Sequence, residues 1–487
     1  MSMSSCPKRW SVPNHVSFGD YAADDFLHAE IGGPLYAAQS TLPSLPLPSL
    51  QATLDTLKDS LLAVCTSSAE EESVLADLST FSATGGALLQ TLLQSRADTA
   101  HLTKTSWLQH WWNTQGYLIP RNPVVIDVSY FFQFTPDPMA STSAARAAAL
   151  LHQSAVFRKA VISGSLPVES IGKKNTPLCS SAWKYMFNAT RLPKKGHDGY
   201  VIHDPSLHNH IVVLRKGRVF TFDFVDDNHE PFPVMYLEQM VQSCIAQADN
   251  ESVTDVCVGV LTSQDRDLWA CDYAHLTEIH PTMRASLDVV ESAALCLCLD
   301  HYEPVSRECT SDLLWHGATP APNRYFDKSI QIIVSDNGQA GVLGEHSMMD
   351  GMPMVRFADY ITKKSYQELV VKEVTAEELV MPQQPPTMVF EVVALDAMSR
   401  DEVLTAAIAR AKTAFTKLIT DQELTVVNYS AYGAGFIKKS KMSPDAYVQM
   451  CIQLATTKLF GGSAGTYEAS QVRPFRHGRT ETTRSCR

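Results

Sequence analysis

The sequence has no long apolar run, no paired-cysteine motif and no excess of basic residues. Of its 487 residues, 45% are hydrophobic and 19% are charged, and the formal net charge is -12. Ser292–Leu299 is among the longest apolar runs and is too short to cross a membrane. The acidic balance argues against nucleic acid as a partner. The 11 cysteines contain no Cys-x-x-Cys pair, so neither a zinc site nor a disulfide framework is indicated. These features favour a globular protein of the reducing cell interior, with cytoplasm, peroxisome and mitochondrion left open.

The most informative stretch begins with two short apolar runs, Ser329–Val334 and Ala340–Leu343. Asn337 and Gly338 lie between them. An Asn-Gly pair between β-prone segments predicts a hairpin in which both turn residues have positive φ. Apolar residues at helical spacing follow and reach Ile361, which predicts a helix after the second strand.

His346 lies in the segment between that strand and that helix, with Asp350 four residues later and Gly351 next to it. This pattern resembles the His-x-x-x-Asp-Gly signature of CoA-dependent acyltransferases. An imidazole near neutral pKa can remove a proton from an alcohol or thiol, and a nearby carboxylate can fix its tautomer and orientation. For an isolated match, the alternative is a buried histidine that is bonded to a backbone carbonyl.

A second segment combines basic residues with the start of a helix. Lys438, Lys439 and Lys441 precede Ser443, which is a good N-cap, and a proline and Asp445 follow at positions that suit a first helical turn. The helix is predicted to run to a Gly-Gly pair. Lysines ahead of a helix N-terminus form a favourable anion site, while a solvated basic loop is the alternative.

No metal site is predicted. His208 and His210 precede a predicted strand at Ile211–Leu214, but no Cys or His stands at a spacing that would complete a ligand set.

The length of the chain predicts two domains, because 487 residues exceed one ordinary core. The Pro-rich segment Met381–Pro386 is the clearest linker. We therefore expect an N-terminal extension at 1–41, a domain at 42–384 that carries His346, and a second domain at 387–487. Patterning elsewhere predicts strands at Val124–Val128, Val256–Leu261 and Met388–Ala394, and helices at Leu50–Thr66, Glu70–Arg96, Glu238–Ala248, Ala285–Tyr302 and Asp401–Thr420.

Ordered motifs from Leu42 to Ser485 resemble the carnitine/choline acyltransferase family. The matching blocks are Trp107–Tyr117 with Pro123–Ile126, Val260–Ser263 with Arg266 and Trp269, Asn323–Gln331, Glu345-His346, Lys438–Asp445, Thr466–Glu468, and Gly478–Ser485.

The resemblance implies an α/β fold of two chloramphenicol-acetyltransferase-like domains with the active site in a tunnel between them. It implies that His346 is the general base and that Asp350 orients it. Residues matching Lys438, Lys439, Lys441, Ser443 and Asp445 line the CoA channel of the family. Those matching Tyr467 and Thr480 contact the carboxylate of carnitine. CoA or acyl-CoA would then be a co-substrate, with carnitine or a similar alcohol as acceptor and no permanently bound cofactor.

Three departures from the family pattern leave the function open. Ala434 replaces a lysine that supports CoA, and Ala469 replaces a serine of the acceptor pocket. The chain also ends at Arg487, before segments that complete the second domain in the family, so we expect that domain to be incomplete. Three interpretations follow: an active CoA-dependent O-acyltransferase whose sequence is given in shortened form, an acyltransferase recruited to another alcohol, for example in secondary metabolism, and a non-enzymatic remnant that binds CoA weakly or not at all.

Overall fold

The computed structural model describes residues 33–140, 142–250, 256–320, 322–374, 384–462 and 464–483. The chain forms two compact units. The larger unit contains described residues up to 40 and those from 110 to 425, and the smaller one contains 41–109 and 426–483. The predicted domain boundary at 384–387 stays a prediction, because compact units and family domains are defined by different criteria. Residues 1–32 of the predicted extension and 381–383 of the predicted linker lie outside the described residues.

The larger unit contains a seven-stranded mixed sheet in the order β1-β10-β9-β8-β6-β7-β11. The central strands β6, β8 and β9 are parallel, and the neighbours on either side are antiparallel. The strands are β1 (Tyr130–Gln133), β6 (His210–Arg215), β7 (Arg218–Asp223), β8 (Cys296–Asp300), β9 (Ile330–Ser335), β10 (Ala340–Gly344) and β11 (Thr387–Met388), and two short hairpins add β2 (Ser170–Ile171) with β3 (Thr176–Pro177) and β4 (Ala189–Leu192) with β5 (Gly199–Ile202).

Helices cover both faces of this sheet, which confirms the predicted α/β class. In β6, Ile211 and Val213 belong to one apolar cluster, whereas Val212 and Leu214 belong to the other. Successive side chains of a strand point to opposite faces, so each cluster fills one side of the sheet. The helices of this unit, apart from the short boundary helix α4 (Gln109–Asn113), are α5 (Ser143–Ile162), α6 (Val234–Asp249), α7 (Arg266–Ile279), α8 (Met283–Ser292), α9 (Arg307–His316), α10 (Gly351–Ile361), α11 (Tyr366–Val374), α12 (Val392–Arg400) and α13 (Glu402–Thr420).

The smaller unit is mainly helical. Its helices are α1 (Leu50–Leu62), α2 (Ser68–Phe81), α3 (Ala87–Leu102), α14 (Ala434–Lys439) and α15 (Pro444–Phe460), and its two strands are β12 (Glu468–Gln471) and β13 (Thr480–Thr483), while the short helix α4 (Gln109–Asn113) lies where the two units meet in sequence. A π-helical segment at Ser82–Gly86 joins α2 to α3, at the glycines that interrupt the predicted helix Glu70–Arg96.

Several predicted elements are confirmed. The helices predicted at Leu50–Thr66, Glu238–Ala248 and Asp401–Thr420 correspond to α1, α6 and α13, and the strand at Ile211–Leu214 corresponds to β6. No helix in the described part of the chain combines the length and apolarity that crossing a bilayer requires.

The helix predicted at Ala285–Tyr302 is wrong in its second half. Helix α8 ends at Ser292, and the run Cys296–Asp300 is the central strand β8. All five residues of β8 are buried because helices cover both faces of the sheet. A continuous apolar run of this length is compatible with a buried strand or a buried helix, so its pattern alone does not decide between them.

The three strands predicted elsewhere are also corrected. Val124–Val128 is a turn whose first three residues are buried, and the strand begins only at Tyr130. The segment Val258–Ser263 is a 3-10 helix. The hydroxyls of Thr262 and Ser263 donate to carbonyls three residues back, and such local hydrogen bonds compete with those of a strand. Met388–Ala394 divides between the end of β11 and the start of α12.

Candidate active site

The predicted hairpin and helix place His346 as expected. Strand β10 ends at Gly344 and α10 begins at Gly351, so His346 lies in the short connection between them. The turn differs in one detail from the prediction, because Gly338 has a φ of 77° while Asn337 is not among the residues with positive φ. The loop is a longer hairpin connection in which the Gly338 amide donates to the carbonyl of Ser335 at 2.9 Å.

Two aromatic rings surround the imidazole of His346. Its side chain is 27% exposed. The ring of Tyr117 lies tilted against it with the centroids 5.1 Å apart, and the ring of Tyr130 meets it edge-on at 4.7 Å. The Tyr130 hydroxyl reaches the carbonyls of Met349 and Asp350, each at 3.2 Å. This side chain therefore contacts both His346 and the end of the loop that carries it.

Asp350 is close to His346 and begins the next helix. One of its carboxylate oxygens, Oδ1, lies 3.9 Å from Nδ1 of His346. Asp350 is also the N-cap residue of α10, where the positive end of the helix dipole favours an ionised carboxylate. The structure therefore brings the predicted pair together at a distance suited to electrostatic orientation of the imidazole.

The side chain of Glu345, the residue before His346, is buried and hydrogen-bonds to the residue after His346. Its carboxylate accepts from the Ser347 amide at 3.1 Å and from the Ser347 hydroxyl at 2.6 Å. Arg191 donates to the Glu345 carboxylate at 3.3 Å and to the carbonyl of Tyr117 at 2.7 Å. Both charged side chains are buried.

The sequence prediction missed Arg191, Tyr117 and Tyr130 as neighbours of His346. Arg191 is the charged residue of the buried strand β4, and Asp198 directly precedes the buried strand β5, which is the local signal that points to a buried ion pair. The tyrosines carry no such signal.

The predicted CoA segment lies in the smaller unit. Lys438 and Lys439 form the end of the short helix α14, and Lys441 follows with a φ of 60°. The Ser443 hydroxyl accepts from the amide of Ala446 at 3.4 Å, and Asp445 lies in the first turn of α15. The N-cap and the end of this helix at Gly461 are confirmed. All three lysines are exposed.

Tyr467 and Thr480 also belong to the smaller unit. Tyr467 directly precedes β12 and is 54% exposed. Thr480 begins β13 and is paired with Gln471 of β12. Ala469 is exposed on β12, opposite Thr482. Arg484 and Ser485 of the last motif lie outside the described residues.

No group of three or more potential metal ligands is found among the described residues. Of the two histidines that the sequence singled out, His210 donates from Nε2 to the carbonyl of Val289 at 2.9 Å. Burial lowers the pKa of His210 to about 4.

Comparison with known proteins gives consistent matches over most of the chain. A family model described as Choline/Carnitine o-acyltransferase matches residues 45–487. The mitochondrial carnitine O-acetyltransferase of Saccharomyces cerevisiae is 32% identical, with 93% of this chain and 67% of that protein covered. Carnitine O-acetyltransferase of Homo sapiens is 30% identical, covering 92% of this chain and 70% of that protein. Mitochondrial carnitine O-palmitoyltransferase 2 of Xenopus tropicalis is 28% identical, covering 93% and 70%.

A solved chain described as chloramphenicol acetyltransferase also matches. Its TM-score is 0.24 at 11% sequence identity, with 52% of this chain and 92% of that chain covered. A similarity at this level carries no argument about fold or function.

Proposed function

Because the chain belongs to the choline/carnitine O-acyltransferase family, we propose that it moves an acyl group between acyl-CoA and the hydroxyl of carnitine or a related small alcohol, with His346 as general base. The family and a carnitine O-acyltransferase-like enzyme, both predicted from the sequence, are confirmed by these matches. CoA is then a co-substrate, no permanently bound cofactor is expected, and the enzyme works inside the cell.

The observation that carries the proposal is the position of His346 between β10 and α10. Its side chain is partly exposed there and lies 3.9 Å from the carboxylate of Asp350. Nδ1 faces Asp350, so Nε2 is the nitrogen that takes the proton from the acceptor hydroxyl. The alkoxide oxygen then attacks the thioester carbonyl carbon, and a C–O bond forms. The C–S bond breaks when the tetrahedral intermediate collapses, and the proton passes from the imidazolium to the departing CoA sulfur.

Asp350 acts on this sequence of events through orientation. A negative carboxylate near Nδ1 favours the tautomer that carries the proton on that nitrogen and leaves Nε2 as the basic one. It also stabilises the imidazolium that exists between the two proton transfers.

The segment around α15 is proposed to bind the phosphates of CoA. Lys438, Lys439 and Lys441 supply positive charge, and the positive end of the α15 helix dipole adds to it. Asp445 in the same first turn stabilises the helix. Tyr467 and Thr480 are proposed to contact the acceptor, which the resemblance implies to be a carboxylate-bearing alcohol.

The test is His346→Ala in the purified 487-residue protein. Thiol release from acetyl-CoA is followed with a thiol reagent in the presence and absence of carnitine. We expect the carnitine-dependent rate to fall about 10²- to 10⁴-fold. The matched control is His301→Ala, since His301 is exposed and its ring stacks on Tyr302. An equal rate for His346→Ala and wild type overturns the proposal, and a wild type without any carnitine-dependent or alcohol-dependent rate favours the inactive remnant.

A non-carnitine alcohol is the second candidate acceptor, because Ala469 supplies no hydroxyl where the family pattern has a serine. In that case the wild-type rate saturates with increasing concentration of a neutral alcohol but does not saturate with carnitine. Ala469→Ser then leaves the KM for the neutral alcohol unchanged. A carnitine KM that falls on Ala469→Ser instead supports carnitine as the natural acceptor.

A further inference from the structure

A chain of buried charged side chains runs inward from the loop that carries His346. It begins at Glu345 and continues through Arg191 to Asp198, whose Oδ2 accepts from Nε of Arg191 at 2.7 Å. Arg266 donates to the same Asp198 oxygen at 2.6 Å and pairs with Asp327 at 2.7 Å. These side chains are at most 1% exposed. The charges at this end of the sheet therefore form one connected network.

The arginines of the network favour the ionised form of Asp198. Burial opposes the ionisation of Asp198, but Arg266 and Arg191 outweigh it and lower the pKa of this carboxyl. Removing one partner from a buried ion pair leaves an uncompensated charge, which costs far more than the pair contributes over neutral residues. The geometry of each member is therefore tightly constrained by its neighbours.

Arg191 connects this network to two different neighbours of the imidazole. Through Nη1 it holds Glu345, the residue before His346, and through Nη2 it holds the carbonyl of Tyr117, whose ring lies against His346. Glu345 in turn fixes the amide and hydroxyl of Ser347, the residue after His346. The Arg191–Glu345 ion pair thus includes the residue before His346 and is hydrogen-bonded to the residue after it and to Tyr117, whose ring contacts the imidazole.

We propose that Arg191 and Glu345 are positioning residues that set the orientation of the His346 imidazole. The inference rests on the proposed function of His346 as general base, and it assigns neither residue a contact with substrate. A planar guanidinium is required at 191, because its fork donates in three directions to Asp198, Glu345 and Tyr117, whereas a lysine is a single point charge. A carboxylate is required at 345, because both of its oxygens accept, whereas the nitrogen of an amide only donates.

The test compares Glu345→Gln and Arg191→Lys with wild type and with Asp300→Asn. Asp300 forms a buried two-bond pair with Arg324 at 2.9 and 2.7 Å. It lies opposite Ser335 of β9, at the end of the sheet away from Gly344, which pairs with Ile330. It is therefore a matched carboxylate-to-amide change in a buried ion pair remote from His346. The thermal midpoint is measured for each variant, and kinetics are recorded well below the lowest of them.

We expect kcat to fall about 10- to 100-fold for Glu345→Gln and Arg191→Lys, since a misplacement of roughly 1 Å has an effect of this size. The KM values for acyl-CoA and for the acceptor are expected to change less than about threefold, because only the transition-state geometry is altered. Asp300→Asn should lower the thermal midpoint and leave kcat unchanged. A kcat within about threefold of wild type for folded Glu345→Gln, or an equal loss for Asp300→Asn, overturns the inference.

A second readout does not depend on turnover. In protein with ¹³C-labelled histidine rings, the His346 signal is identified by its absence in His346→Ala. We expect Glu345→Gln to shift its position and its titration midpoint, with the other histidine signals unchanged. If His346→Ala keeps full activity, the proposed function fails whatever this signal does. If His346→Ala is inactive while the His346 signal and kcat are unaffected by Glu345→Gln, only the positioning inference fails.

Discussion

Nδ1 of His346 lies 3.9 Å from Oδ1 of Asp350, across the connection between β10 and α10. This distance allows electrostatic attraction but exceeds that of a hydrogen bond, whose limit is about 3.5 Å. A rotation that brings the atoms about 1 Å closer completes the bond, and catalytic hydrogen bonds commonly tighten when substrate is bound. The relationship supports an orienting role for Asp350 and leads to a first prediction.

Asp350→Asn should lower kcat about 10- to 10³-fold with less than about threefold change in the KM for acyl-CoA, because the proposed contacts to CoA lie elsewhere. Steady-state kinetics over a range of acetyl-CoA concentrations measures both constants. Asp396→Asn is the control, since Asp396 is exposed and its ion pair is with Arg400 of the same helix. A KM that rises while kcat is retained would assign Asp350 to substrate binding instead.

Gly344→Ala should disturb the site through Tyr130. A methyl group at this position would lie 2.9 Å from two carbon atoms of the Tyr130 ring, which itself contacts His346. We expect a loss of about 1–3 kcal/mol in the free energy of unfolding and a lower kcat, because the ring has to move. Gly85→Ala is the control, as no atom lies within 4 Å of the added carbon. Denaturant unfolding and kinetics check both values, and an unchanged kcat would mean that Tyr130 does not support the imidazole.

Replacement of Lys438, Lys439 and Lys441 by glutamine should raise the KM for acetyl-CoA about 10-fold or more, and the wild-type KM should rise with salt as exposed charges are screened. The KM for an N-acetylcysteamine thioester, which lacks the phosphates of CoA, should not change. Lys173 and Lys174, exposed in the turn between β2 and β3, supply a matched double-glutamine control. If both thioesters lose affinity alike, the segment does not act through phosphate binding.

The protein should lose stability in mild acid through His210. Burial lowers its pKa from 6.5 to about 4, and the nearby cations Lys328 and Arg158 act in the same direction. Above pH 6.5 the ring is neutral in both states and has no effect. As the pH falls from 6.5 toward 4, the unfolded chain takes up a proton that the folded protein does not, so the free energy of unfolding decreases. By pH 5 this amounts to about 2 kcal/mol.

His210→Gln removes the titratable ring and keeps a donor for the carbonyl of Val289. Urea unfolding at pH 7 and pH 5 should therefore show a smaller decrease for the variant than for wild type. His316, whose pKa burial also lowers to about 4, should retain part of the effect. Identical decreases in variant and wild type would contradict the assignment to His210.

Local signals were sufficient for a large part of the fold and for the placement of His346 and Asp350 in one connection. Ser443, the proline after it and the terminal Gly461 determine the limits of α15, because capping and helix termination depend on neighbours within a few residues. The hairpin β9–β10 follows from two short apolar runs around an Asn-Gly pair, and helix α10 follows from apolar residues at helical spacing, so the position of His346 between them was predictable. The order of the family motifs was sufficient to predict the family.

The sequence could not reveal which buried runs become strands or which side chains surround His346. Cys296–Asp300 is a strand because β6 and β9 hydrogen-bond to it on both sides, and the same apolar pattern would suit a buried helix. Arg191 meets Glu345, and Tyr130 meets His346, across more than 150 residues of chain. Such contacts depend on how the whole sheet and its covering helices pack, because burial and pairing are decided by residues far apart in sequence, and no local pattern records them.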